Sequence, residues 1–155
     1  MPTKSPPVSP LDAHLGFWMR FVSNQVSAEF ARAVEARGVS VSEWVALRTL
    51  FDAGAGATHA ALVAALGMTK GAVSKVVSRL QDKGYVTRAA HAADARAQVL
   101  ALTPAGRALV PALARDADAN DARFFGHLSA RQRQELMRVL QALVRHHGLE
   151  QVPVA

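Results

Sequence analysis

Between residues 58 and 103 the chain carries helix starts and stops so closely spaced that only short elements fit between them. Thr58 stands at an N-cap position, and Leu62, Val63 and Leu66 follow at helical spacing before Gly67. Gly67 ends that helix in a tight turn. Thr69 then caps a second helix, expected to reach about Lys83, with Gly84 as the residue just past its end. Beyond Gly84 the apolar period drops from helix-like to strand-like. Residues 85–88 and 98–102 predict two strands, with residues 91–96 as the loop between them, and Thr103-Pro104 restarts helix with N-cap and N1 residues in order. The local order is therefore helix, turn, helix, β-hairpin.

The flanks are helical. Ser9-Pro10-Leu11-Asp12 reads as the start of one long helix carrying Leu11, Leu15, Trp18, Val22 and Val26, ending before Gly38. Ser40 and Glu43 have capping-box spacing ahead of a helix from about Ser42 to Ala53. A fifth helix runs from Pro104 to about Phe125, and Pro111 inside it is expected to kink it. Ser129 and Gln132 form a second capping box before a sixth helix bearing Leu136, Leu140, Leu143 and Val144. The expected fold is mainly α with a small β-hairpin wing, a six-helix winged helix-turn-helix. Residues 1–9 read as a disordered tail, 10–147 as one unit and 148–155 as a loose tail. Within the unit, 39–103 form the winged-helix lobe, and 10–37 with 104–147 form a helical region.

Charge sharpens this. The whole chain has 18 basic and 12 acidic side chains. Residues 58–103 hold six basic ones (Lys70, Lys75, Arg79, Lys83, Arg88, Arg96) against two acidic ones (Asp82, Asp94), a net of +4. Val73, Val76, Val77 and Leu80 form one face of the fourth helix, suited to pack on Leu62 and Leu66. Thr69, Lys70, Ser74, Lys75, Ser78 and Arg79 occupy its other sides, and Gly71 and Ala72 would let its backbone come close to a groove. A helix about 10–12 Å across fills a DNA major groove. Lysine and arginine neutralise phosphates there, and serine and arginine can meet base edges. The bland alternative is a solvated basic face.

Other chemistries are poorly supported. With no cysteine the chain has no disulfide, thiolate ligand or thiol switch. His59, His91, His127, His146 and His147 show no i,i+4 ligand pair, so no metal is expected. No nucleophile motif, phosphate loop or acid pair points to an enzyme, and no cofactor is expected. The N-terminus has no apolar core of a secretory signal, and no apolar run approaches the roughly 18 residues of a membrane span, so a cytoplasmic protein without membrane attachment is expected.

The run from Thr58 through Leu62, Leu66, Thr69, Val73-Ser74-Lys75, Val77, Leu80, Gly84-Tyr85-Val86 and Arg88 resembles the MarR (multiple antibiotic resistance regulator) family of bacterial transcription factors. So do Asp94-Ala95-Arg96 in the wing and Leu102-Thr103-Pro104-Ala105-Gly106 after it. The resemblance spans roughly residues 10–147. It implies a homodimer on a pseudo-palindromic double-stranded operator, with residues 69–83 as the recognition helix and Arg96, held by Asp94, as the wing arginine. His91, beside the alanines Ala92, Ala93 and Ala95, replaces the more charged wing of relatives and shifts weight onto Lys70, Lys75, Arg79 and Arg88. The resemblance also implies a dimer interface on the first, fifth and sixth helices, here Leu11, Leu15, Val22, Phe124, Leu136, Leu140 and Leu143. The expected function is a repressor released by a small aromatic acid or phenol-like ligand held by His14, Trp18, Phe21, Trp44 and Arg48. For those aromatics, plain packing is the competing reading. The alternative functions are a regulator that needs no effector and a helical protein-interaction module with a basic patch.

Overall fold

The computed structural model describes residues 7–90, 98–150 and 153–154. The expected six helices are present: α1 (Leu15–Glu35), α2 (Val41–Ala53), α3 (His59–Leu66), α4 (Lys70–Asp82), α5 (Pro104–Phe125) and α6 (Ala130–His147). The strands are β1 (Ala57–Thr58), β2 (Val86–Ala90) and β3 (Gln98–Leu102), in the antiparallel order β1-β3-β2.

Capping chemistry sets most boundaries. Ser40 accepts from the Glu43 amide while the Glu43 carboxylate accepts from the Ser40 amide, and Ser129 and Gln132 repeat this at α6. Thr58, Thr69 and Thr103 each accept from the amide three residues on, starting α3, α4 and α5. Gly67 ends α3 at φ 62°, a conformation that costs a residue with a Cβ, and this lets α4 begin within three residues.

Three expectations need correction. The first helix does not start at Ser9. Residues Leu11–Ala13 form a 3-10 turn, His14 is extended (φ −99°, ψ 126°), and α1 begins at Leu15. The break is held by local bonds: Trp18 Nε1 donates to the Asp12 carbonyl (2.9 Å) and the His14 ring contacts the Pro10 carbonyl (3.1 Å). The second difference is β1, two residues with no strand signature. Register with β3 creates it, pairing Ala57 with Leu100 and Thr58 with Val99. Gly56 permits the approach, because a Cβ there would lie 2.6 Å from the Leu100 carbonyl oxygen. Third, the C-terminal tail is not wholly detached, since Val154 packs against the core and Pro153 borders a cleft between α1, α2 and α5. α5 continues through Pro111 as one helix.

The core belongs to the winged-helix lobe and what sits on it. Leu47 and Leu50 from α2, Leu62 and Leu66 from α3, and Val73, Val76, Val77 and Leu80 from α4 are buried together. Val86, Leu100, Val110 and Leu113 close it from the hairpin and α5. α6 buries none of its residues, so its apolar stripe faces outward.

An ion pair ties the end of α1 to α5. Arg37 Nη2 donates to Asp116 Oδ1 at 2.9 Å. Chiefly through this hydrogen bond, the guanidinium holds the Asp116 carboxyl below its usual range, and the carboxylate raises Arg37 in turn. A lowered folded value means that the stabilisation is fully present above the ordinary carboxylate range and is lost as pH falls from that range through the lowered value. Melting curves of Asp116→Asn should therefore differ most from wild type at neutral pH and converge in acid, at a pH below the lowered Asp116 value. A difference persisting at that pH would rule out this linkage.

Candidate nucleic-acid interface

α3 and α4 meet at a bend of 110°, within the range of a helix-turn-helix. The turn holds α4 with its apolar face inward, so its remaining residues are decided by elimination. Thr69, Lys70, Gly71, Lys75, Ser78 and Arg79 are exposed, while Ala72 and Ser74 are half-buried. Arg88 is exposed on β2, opposite Leu100 in register. His91, Asp94 and Arg96 lie outside the described residues.

The charges on this surface are uncompensated. Among the described residues, none of Lys70, Lys75, Arg79 and Arg88 has a carboxylate partner within ion-pair distance. Elsewhere pairing is common: Arg48 with Asp52, Arg131 with Glu135, Arg133 with Asp121. Lys83 leaves the basic set, because its Nζ donates to Glu43 Oε2 at 2.7 Å. Glu43 is only 2% exposed, so Lys83 balances a buried carboxylate and pins the end of α4 to α2. The usable cationic surface is thus α4's outer face with Arg88.

Ser74 also departs from its expected role as a free donor. Its Oγ lies 3.1 Å from Nε2 of His59, the first residue of α3, in a hydrogen bond whose direction depends on the histidine tautomer. His59 carries no sequence signal for this, since its partner is fifteen residues away across the turn. Gly71 is the opposite case. A Cβ there would meet nothing, so the protein's own packing does not require glycine. Gly71→Ala is expected to stabilise the fold by about 0.5 kcal/mol and to weaken DNA binding. Thermal melting and fluorescence anisotropy would read the two effects, and unchanged affinity would dismiss close approach at this residue.

The five expected ligand residues do not converge within the chain. The α1/α2/α5 cleft, about 330 Å³, is lined by Val26, Phe30, Trp44, Val45, Asn120 and Asp121 among others, so of the five only Trp44 reaches it. Phe30 meets Trp44 edge-on at 6.4 Å between ring centroids. His14, Trp18 and Phe21 precede Val26, the first residue of the cleft, so Phe21 lies roughly 8 Å and Trp18 roughly 12 Å from it along α1, and His14 precedes the helix. There they are exposed, with Phe21 and Trp18 clustered around Phe17. Arg48 points elsewhere, onto Asp52 and the Phe51 ring. Among the expected dimer residues Leu11 and Leu15 are 75% and 84% exposed, Val22, Leu136, Leu140 and Leu143 are exposed, and Phe124 is half-buried.

Comparison with known proteins fits this geometry. The profile of the MarR family matches residues 37–97, which hold α2, α3, α4 and β2. The transcriptional repressor Rv2887 of Mycobacterium tuberculosis is 33% identical over 132 residues, covering 85% of this chain and 94% of that protein. The chain belongs to the MarR family. It is a winged-helix, DNA-binding transcription regulator. Among solved MarR-like structures, a probable transcriptional regulator from Pseudomonas aeruginosa superposes with a TM-score of 0.74 at 29% identity, covering 86% of this chain and 99% of that one. The Mycobacterium tuberculosis MarR family protein Rv2887 in complex with salicylic acid superposes with a TM-score of 0.65 at 32% identity, covering 85% and 97%. Among the described residues no single helix of this MarR protein is long and apolar enough to cross a membrane.

Proposed function

We propose that this MarR protein is a cytoplasmic repressor that acts by binding rather than catalysis. It sits as a homodimer on a pseudo-palindromic operator and leaves when a small aromatic ligand binds. The observation that carries the reading is the uncompensated cationic face of α4. Elsewhere on the surface carboxylates pair with arginines, whereas among the described residues none lies within ion-pair distance of Lys70, Lys75 or Arg79. In the dimer residues 39–103 form each reading lobe. Residues 10–37 and 104–147 join the copies through the apolar faces of Leu11, Leu15, Val22, Leu136, Leu140 and Leu143, which a single chain leaves in water. Arg88, with Arg96 in the wing, takes the flanking backbone and minor groove. Repression follows the similarity to Rv2887.

The cleft beside Trp44 supports a particular kind of effector. Its polar groups are Ser27, Asn120 and Asp121, with Asn120 Nδ2 donating to the Val26 carbonyl at 3.2 Å and Asp121 engaged by Arg133. Among the described residues no cation lines it. An aromatic ring with a hydroxyl suits such a lining better than a bare carboxylate. Calorimetric titration with matched phenols and benzoates, alongside release of an upstream-region duplex, tests this. Phenols are expected to bind more tightly and to release DNA. Binding by neither class would leave a regulator that works without an effector. Operator binding indifferent to DNA sequence would favour a protein-interaction role for the basic patch.

A further inference from the structure

We infer that His59 is a positioning residue for DNA reading, fixing which way the Ser74 hydroxyl presents its proton. The inference rests on α4 lying in the major groove and goes beyond it. Ser74 sits in the row Lys70, Ser74, Ser78, whose outer members are exposed, and is itself half-buried against α3. A serine hydroxyl has one proton and two lone pairs. His59 Nε2, 3.1 Å away, takes one of these. With the ring proton on Nε2, His59 donates, Ser74 Oγ accepts, and the serine proton is left for an outside acceptor. In the major groove adenine and guanine present N7, guanine O6 and thymine O4 as acceptors, whereas cytosine presents only its amino donor, so Ser74 then donates to any base edge but cytosine's. The reverse polarity would leave only lone pairs to meet those acceptors. Holding the hydroxyl in one rotamer also removes the freedom that lets a lone serine accept any base. His59 reaches no base itself in this scheme. It acts through Ser74, from the start of a neighbouring helix that the recognition helix packs against.

The test is selection from a randomised duplex pool of about two helical turns, followed by sequencing. Wild type should show one half-site position with a preference of about tenfold against cytosine. Ser74→Ala and His59→Ala should each flatten that position and leave the others intact. The double variant should flatten it no further, and His59→Gln, whose side-chain amide also donates, should restore it. Melting curves of each variant accompany the selection. If His59→Ala keeps the preference, or weakens every position equally, or adds its effect to that of Ser74→Ala, the inference is overturned. A wild type with no base preference anywhere would overturn the operator reading itself, a distinguishable failure.

Discussion

Lys75→Ala combined with Arg79→Ala is expected to lower operator affinity at least about thirtyfold for each protomer, at about one to three kcal/mol for each side chain removed. Both side chains are exposed on α4, four residues apart, and neither has a carboxylate partner among the described residues. Their positive charge is therefore available to phosphates or base edges. Each phosphate left without its cation should also make the dependence of log affinity on log salt shallower by about one. In a dimer both effects are doubled by symmetry. Folding stability should stay within about 0.5 kcal/mol, because neither residue is packed. Arg131→Ala on α6 is the matched control, an exposed arginine paired with Glu135 and remote from the recognition helix in sequence. Anisotropy titrations across a salt series read the result. A double variant that binds as wild type with the same salt slope would remove α4 from the interface.

Gly106→Ala is expected to be the most damaging single methyl in the chain. Gly106 is buried in the first turn of α5, where that helix crosses the start of the hairpin. A Cβ there would lie 2.2 Å from the Tyr85 carbonyl oxygen and 3.1 Å from its carbon, and both are backbone atoms that cannot rotate away. The same carbonyl accepts from the Thr103 amide at 3.0 Å, and Thr103 Oγ1 donates to the Gly84 carbonyl at 2.6 Å. Relief of the clash must therefore break this junction or shift β2. The expected cost is about 3 kcal/mol, or a fall of roughly 6–12 °C in Tm. Operator affinity should fall too, since α5 carries the reading lobe. Gly16→Ala in α1 is the control, because a Cβ there meets nothing. A Gly106→Ala protein melting within about 2 °C of wild type would refute the steric account.

The junction also shows why parts of the chain were legible. Thr103-Pro104-Ala105-Gly106 signals a helix start locally through its cap and its proline. The requirement for glycine at its fourth position is not local, because the atom that forbids a side chain belongs to Tyr85. The same division runs through the site. Lys70, Lys75, Arg79 and Arg88 could be read as a basic cluster, and the structure leaves them exposed and unpaired among the described residues. Lys83 read identically and is taken up by Glu43, a partner forty residues away. Helical spacing puts His14, Trp18 and Phe21 on one side of the chain's first helical segment and says nothing about where α2 crosses α1. The crossing falls at Val26 and Phe30, so His14, Trp18 and Phe21 lie beyond the cleft and only Trp44 reaches it.

Local signals in the sequence sufficed for the helices and caps after α1 and for the two strands of the hairpin, because a cap, a left-handed glycine and an apolar period act within a few residues. They also sufficed for the apolar face of α4 and hence for which of its residues stay outside the core. The break at His14 rests on local bonds that no apolar period records, and tertiary packing set the rest: the short β1, the pairing of Lys83, the bond between His59 and Ser74, and the lining of the cleft. Each of these depends on atoms brought together from distant positions, or on bonds whose energies are small beside the packing that positions them. Periodicity carries no record of such encounters until the core has closed.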